Sequence, residues 1–395
     1  MMICYNCNTR LEPGTLSEEH IFPQAIGGRL TSLTLLCKKC NEHYGATIDA
    51  NLAKSFEFFV AMLMLDRERS EKIPVIKNLV TDSGEKYSLR DGRFPESVEP
   101  PVTVAEGGKS YHISARNEKE FETIIRQFKD RFPEIDLEDV RSKAVRSKSY
   151  MDKALHGSLT LGGEQGLRAV AKIALNFYLH SGGDRTAVGE ILPVIKGEIS
   201  NEQHAHLYYI IDSLELSGKE VFHFVQVNGD PTTGLLYAYV VLFSSIGYMV
   251  TLSENYRSEK FEKSFAYDVV TLTKLEKKVI TNYEGRLSYV SMVNDANMAR
   301  ELNSKIINSI QSHLNRIMAV AEHLQYTKGV QDYAQAAITK VLQNLNGKDV
   351  SVKDFSQQVM DIFMKDAAPF FEHFLKKRKY IQRNDATEEI PSNLD

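Results

Sequence analysis

The chain lacks a global positive charge. Its 395 residues carry 48 Lys and Arg against 52 Asp and Glu, a formal net charge of -4. Attraction of nucleic acid by the molecule as a whole is therefore excluded, and any such surface must be a local patch. An uninterrupted membrane-length apolar run is also missing. The nearest candidate, LLYAYVVLFSSIGYMVTL at 235–252, is broken by Ser244, Ser245 and Gly247 and is rich in β-branched and aromatic residues. Two buried strands joined by a tight SSIG turn are expected there rather than a membrane helix, and no membrane association is expected. No secretory leader pattern stands before Cys4, so a cytoplasmic protein is expected. A phosphate-cradling glycine loop is absent, which argues against nucleotide hydrolysis, and no internal repeat is visible. Cysteine is scarce: Cys4, Cys7, Cys37 and Cys40 are the only four.

What is present describes a globular protein with a sizeable core, 43% apolar and 25% charged. Five stretches separate. Residues 1–65 hold the cysteines and a helix with Ile48, Leu52, Phe56, Phe59 and Met62 at helical spacing. Residues 66–150 form a mixed connecting region of short strands with two charged helices near 117–131 and 136–147. Residues 151–290 read as an α+β sensing or regulatory domain. Its helix, GEQGLRAVAKIALNFYLHSGG, has a stripe of Leu167, Val170, Ala171, Ala174, Leu175 and Tyr178 and a Gly182-Gly183 stop, and an antiparallel meander follows. Residues 291–380 are helical, with Met298, Leu302, Ile306, Ile310, Leu314 and Ile317 stepping by three or four, and Pro369 should bend or break the last helix. Residues 381–395 form a polar tail expected to be disordered.

The cysteines form two CxxC knuckles. Four soft thiolates without a secretion signal suit tetrahedral Zn²⁺ better than disulfides, and a four-thiolate site is closed and structural. Twenty-nine residues separate Cys7 from Cys37, so the insert must fold as a unit between the knuckles. It contains SEEHIFPQAIGG (17–28), in which Glu19 and His20 are followed by Pro23 and by Gly27-Gly28. After the last cysteine come Asn41 and, four residues on, Gly45. An acid-His pair, a Gly-Gly loop and a CxxCN…G ending in this order resemble the cysteine-flanked, zinc-containing subgroup of the HNH endonuclease family, over about residues 1–65.

The resemblance implies a ββα-metal fold, two strands and a helix around one catalytic divalent cation. The whole chain is thus expected to be α+β: this module, the mixed region, the antiparallel-sheet domain and C-terminal helices. By the family pattern His20 is the general base, while Glu19 and Asn41 hold Mg²⁺ or Mn²⁺, a hard cation that prefers oxygen ligands. Three positions depart from the commonest pattern: Ser32 stands where an Asn usually positions the loop, Asn41 replaces a His, and Glu19 is one methylene longer than Asp. His43 is a further candidate ligand or phosphate contact, or a solvent-facing side chain. Arg10, Arg29, Lys38 and Lys39 are candidate DNA contacts, or simply surface charge. His204 and His206 alternate in a strand, more in keeping with packing than with a metal pair.

The expected function is metal-dependent hydrolysis of DNA phosphodiester bonds, with a large downstream region that senses an activating ligand or docks a partner protein, as in prokaryotic defence effectors. A homo-oligomer is expected, because one HNH module nicks one strand and two make a double-strand break. The alternatives are a non-catalytic zinc-dependent DNA-binding protein or a scaffold subunit of a larger complex.

Overall fold

The computed structural model describes residues 2–65, 73–98, 101–104, 111–115, 118–145, 151, 153–200 and 204–385. The chain is α+β, as expected, and the pairings in its two-stranded and six-stranded sheets among the described residues are antiparallel. It divides into two compact units. One joins Met1–Ile76, Arg90–Arg93 and Ser158–Glu322, and the other joins Lys77–Leu89, Phe94–Gly157 and His323–Asp395. The boundaries differ from those drawn on the sequence, because the cysteine-rich segment shares a unit with the downstream sheet.

In the first unit, β1 (Glu19–His20) pairs with β2 (Thr31–Ser32), Glu19 opposite Ser32 and His20 opposite Thr31. Helix α1 (Lys38–Tyr44) starts at the second knuckle and leads through a π turn at Gly45–Asp49 into α2 (Ala50–Ser55) and α3 (Glu57–Met62). The second unit opens with the three-stranded sheet of β3 (Ile76–Val80), β4 (Lys86–Arg90) and β5 (Phe94–Ser97). A ribbon of β6 (Val102–Val104) with β7 (Tyr111–Ile113) follows, then helices α4 (Glu118–Arg131) and α5 (Leu137–Lys143), close to the two charged helices expected.

The first unit resumes with α6 (Glu164–His180) and α7 (Ile191–Lys196). Its sheet contains β8 (Ala205–Tyr208), β9 (Phe222–Asp230), β10 (Leu235–Leu242), β11 (Ile246–Ser253), β12 (Phe261–Asp268) and β13 (Lys274–Leu275). The strand order is β13-β12-β9-β10-β11-β8, so the meander expected from sequence holds only for β9–β11. After β11 the chain crosses back and β12 pairs with the far edge of β9. The 235–252 run is the hairpin of β10 and β11, turning at Phe243 and Ser244, both at positive φ. All eight residues of β11 are buried. One face of this sheet packs a core of Phe222, Phe224, Tyr239, Val241 and Met249 against Ile210, Leu214 and Val279, while α6 packs across the strands. Coverage of both faces replaces polar alternation by continuous apolar sequence.

Three helices follow: α8 (Arg286–Asn294), the 50-residue α9 (Ala296–Leu345) and α10 (Val352–Asp385). In the second unit Tyr326 of α9 stacks on Phe370 of α10 with ring centroids 5.7 Å apart, and Phe374 lies edge-on to Tyr326 at 5.2 Å. Pro369 does not break α10, and the helix continues to Asp385. Residues 381–385 are therefore helical rather than part of a disordered tail, and 386–395 lie outside the described residues. Among the described residues, no helix is long and apolar enough to cross a membrane.

Candidate active site

The two knuckles converge. The Sγ atoms of Cys4, Cys7, Cys37 and Cys40 all lie within 4.8 Å of one another, and Cys7 and Cys37 are 3.6 Å apart. Zinc bonded to sulfur at about 2.3 Å in a tetrahedron places its sulfurs about 3.8 Å apart, so the donor set fits this ion. Burial pushes the Cys4 and Cys40 thiols up. Burial also raises Cys7, but hydrogen bonds at Thr9 and the neighbouring cysteines outweigh it and bring Cys7 down to about 6. Asn6 donates its Nδ2–H to Cys40 Sγ at 3.1 Å and accepts from the Tyr44 hydroxyl at 2.8 Å, which orients that thiol from behind. These four cysteines could hold one zinc ion.

The segment after His20 folds back tightly. Pro23 precedes a 3-10 turn, Gln24–Ile26, that ends at Gly27 with φ 95°, where its N–H caps the Gln24 carbonyl. Gly28 then approaches Phe22 so closely that a Cβ there would lie 1.9 Å from the Phe22 carbonyl oxygen. Only glycine fits this passage. The loop rests on β9: Phe22 stacks on His223 at 5.2 Å, and the His223 Nε2–H donates to the Ile26 carbonyl at 2.8 Å. His223 accepts from the Phe243 N–H through Nδ1 at 3.2 Å, and burial lowers its pKa to about 4. Phe56 and Phe59 stack on Phe243, and Arg185 donates to the Cys4 and Tyr5 carbonyls at 3.1 Å.

A cavity of about 990 Å³ opens in front of β1 and α1. Glu18, Glu19, His20, Asn41, Glu42, Asp49 and Glu57 line it, with Lys38 and Lys54. The structure thus brings Glu19, His20 and Asn41 to one cavity. His20 is half-buried. Asn41 donates through Nδ2 to Ser17 Oγ at 2.8 Å and to the Glu18 carbonyl at 2.9 Å, tying α1 to the segment that leads into β1. Ser32 is buried; its Oγ lies 3.0 Å from Thr34 Oγ1 and accepts from the Thr34 N–H at 3.3 Å. It shapes its own turn opposite Glu19. Glu18 is exposed and accepts from Thr31 Oγ1 at 2.9 Å.

Other candidates lie elsewhere. His43 is exposed and outside the cavity lining. Lys38 is on the wall beside Glu42, whereas Arg10 is exposed beside Glu12 and neither Arg10, Arg29 nor Lys39 lines the cavity. His206 is buried, stacked at 3.4 Å on Tyr289, and burial lowers its pKa to about 3. The four cysteines form the one close cluster of three or more His, Cys, Asp or Glu donors among the described residues. A cation in the cavity would therefore rest on fewer such protein donors, completed by amide oxygen or water.

Sequence reading missed three residues. Lys172 and Asn176 of α6 bind Glu19, and Lys172 also binds Asp49 at 2.8 Å. Glu19 and Lys172 each have side chains 2% exposed. Burial opposes the charge on Lys172, but Asp49 and Glu19 outweigh it and raise its pKa, so the ammonium persists. Burial raises the Glu19 pKa and Lys172 offsets part of that rise. The available signal was a lysine and an asparagine four residues apart inside an otherwise apolar helix. Asp49 closes the π turn, a distortion that often marks a functional position.

No curated protein and no solved structure matches the chain. Residues 4–57 match the family model described as HNH endonuclease, the same span that contains the cysteine cluster, the Gly27-Gly28 loop and the cavity wall formed by β1 and α1. This chain carries an HNH endonuclease module at residues 4–57.

Proposed function

We propose that the chain is a metal-dependent endonuclease that hydrolyses DNA phosphodiester bonds, with His20 as general base. The observation that supports it most directly is the convergence of His20, Asn41 and Glu19 on one polar cavity large enough for a phosphodiester segment. The imidazole of His20 takes a proton from water as its oxygen bonds to phosphorus, and the bond from phosphorus to the leaving oxygen breaks.

Five carboxylates face two lysines on the cavity wall, a balance that repels phosphate unless a cation intervenes. Oxygen donors of this kind suit Mg²⁺ or Mn²⁺. Glu19 and the Asn41 carboxamide would hold the ion. When bound, it neutralises charge that builds on the phosphate and leaving oxygen. Lys38 and Lys54 remain to contact flanking phosphates. Zinc, in this reading, holds the knuckles together and takes no part in the chemistry.

The test uses the purified full chain, supercoiled plasmid and Mn²⁺. Wild type should nick the plasmid, EDTA should stop it, and His20→Ala should lose at least a hundredfold while keeping fold and zinc. Equal nicking by wild type and His20→Ala would remove His20 from the mechanism.

A further inference from the structure

We propose that Lys172 and Asn176 of α6 are positioning residues for the Glu19 carboxylate, so that a helix more than a hundred residues downstream completes the site begun by residues 4–57. This rests on the nuclease reading above, in which Glu19 is a cation ligand.

The contacts are one-sided. Asn176 Nδ2 donates to Glu19 Oε1 at 2.8 Å, and the Lys172 ammonium binds the same oxygen. Both donors lie four residues apart on one face of α6 and are buried, Asn176 completely. Among the described residues no bond is made to Glu19 Oε2, and Glu19 is part of the cavity wall. A carboxylate held through one oxygen by two N–H donors cannot swing about its last torsion. It presents the other oxygen in a set direction, the usual service of an outer ligand shell.

Charge points the same way. Lys172 lies between Glu19 and Asp49, so two carboxylates meet one ammonium and one negative charge is left over at the cavity wall. Among the described residues, Asp49 Oδ1 is itself buried without a hydrogen-bond partner. The cluster therefore keeps an attraction for a cation while preventing the two carboxylates from repelling each other apart. Stability alone is a weak account of it, because apolar side chains of similar volume commonly replace a buried ion pair without loss.

The experiment compares zinc-loaded, full-length wild type, Asn176→Ala and Lys172→Met. Mn²⁺ binding is followed by electron paramagnetic resonance, fold by circular dichroism, and nicking as a function of Mn²⁺. Positioning predicts about 10- to 100-fold weaker Mn²⁺ binding in both variants, with the same shift in the Mn²⁺ needed for half-maximal nicking. At saturating Mn²⁺, Asn176→Ala should regain most of its rate. If Lys172→Met does not fold, Asn176→Ala carries the test. A purely structural role would lower unfolding midpoints and leave Mn²⁺ affinity unchanged, which overturns the inference. Nicking with unchanged Mn²⁺ affinity in the variants overturns the positioning and leaves the nuclease reading standing. Shifted binding in a protein that never nicks DNA upholds the positioning and overturns the nuclease reading. Wild type that binds no Mn²⁺ overturns both.

Discussion

Replacing Gly28 by alanine tests whether the loop behind His20 is as tightly closed as the geometry states. The added Cβ would lie 1.9 Å from the Phe22 carbonyl oxygen, 2.6 Å from its carbonyl carbon and 2.9 Å from its Cβ. Ordinary contact distances are about 3.5 Å, so the two backbone segments must part by roughly 1.5 Å. They are not free to do so. Gly28 N–H donates to the Pro23 carbonyl at 3.2 Å, Ile21 N–H to Leu30 at 2.8 Å, and Phe22 is stacked on buried His223. Overpacking of this kind costs about 1–3 kcal/mol and a lost hydrogen bond about 1 more, so a destabilisation of about 2–4 kcal/mol is expected. That is a large share of the roughly 5–15 kcal/mol that holds an ordinary domain together. The matching control is Gly45→Ala. Gly45 has helical φ -57°, and nothing lies within 4 Å of the place a Cβ would take there, so alanine should stabilise by about 0.5–1 kcal/mol. Urea unfolding of both full-length variants, with plasmid nicking alongside, reads the contrast. Gly28→Ala within about 0.5 kcal/mol of wild type and nicking at its rate would refute the reasoning.

Other outcomes follow from the same contacts. Cys37→Ser should lower bound zinc from one ion per chain toward none and abolish nicking, as elemental analysis and the plasmid assay would show. Stability should fall on mild acidification. His223 and His206 have folded pKa values near 4 and near 3, below about 6.5 in the unfolded chain, so the unfolded state binds more protons as pH drops. Their contribution is complete above pH 6.5 and is lost as pH falls toward those folded values. Between pH 7 and pH 5 the two together should lose about 4 kcal/mol, and a flat or rising urea midpoint over that window would contradict it. Arg185→Ala removes donors to the Cys4 and Tyr5 carbonyls and should cost about 2 kcal/mol in urea unfolding while retaining zinc; an unchanged midpoint would show that these bonds carry nothing.

The parts legible in the sequence were those whose partners lie nearby. Cys4 with Cys7 and Cys37 with Cys40 announce themselves by spacing, and 235–252 reads as a hairpin because Ser244-Ser245 and Gly247 interrupt β-branched runs. His20 and Asn41 were found through the order of a short segment. Lys172 and Asn176 were not found because their partners are 153 and 157 positions away, and a helix stripe drawn at Leu167, Val170, Ala171, Ala174, Leu175 and Tyr178 treats the residues between them as solvent-facing. In the structure every residue from Ala169 to Tyr178 is buried, so α6 has no solvent face along that stretch. The return of β12 to β9 was equally silent, since strand patterns reveal which face is buried and not which neighbour is paired.

The distance in sequence between Glu19 and its holders also bears on how the protein is made. The cysteine knuckles, β1 and α1 are synthesised more than a hundred residues before α6. Asn176 meets Glu19 across 157 positions, and His223 meets the loop carbonyl of Ile26 across 197. A nascent chain therefore carries all four cysteines long before its Glu19 carboxylate is secured, and the cavity wall is completed only after α6 and β9 have been synthesised. Prematurely terminated chains and early proteolytic fragments would thus carry the four cysteines without the residues that hold Glu19.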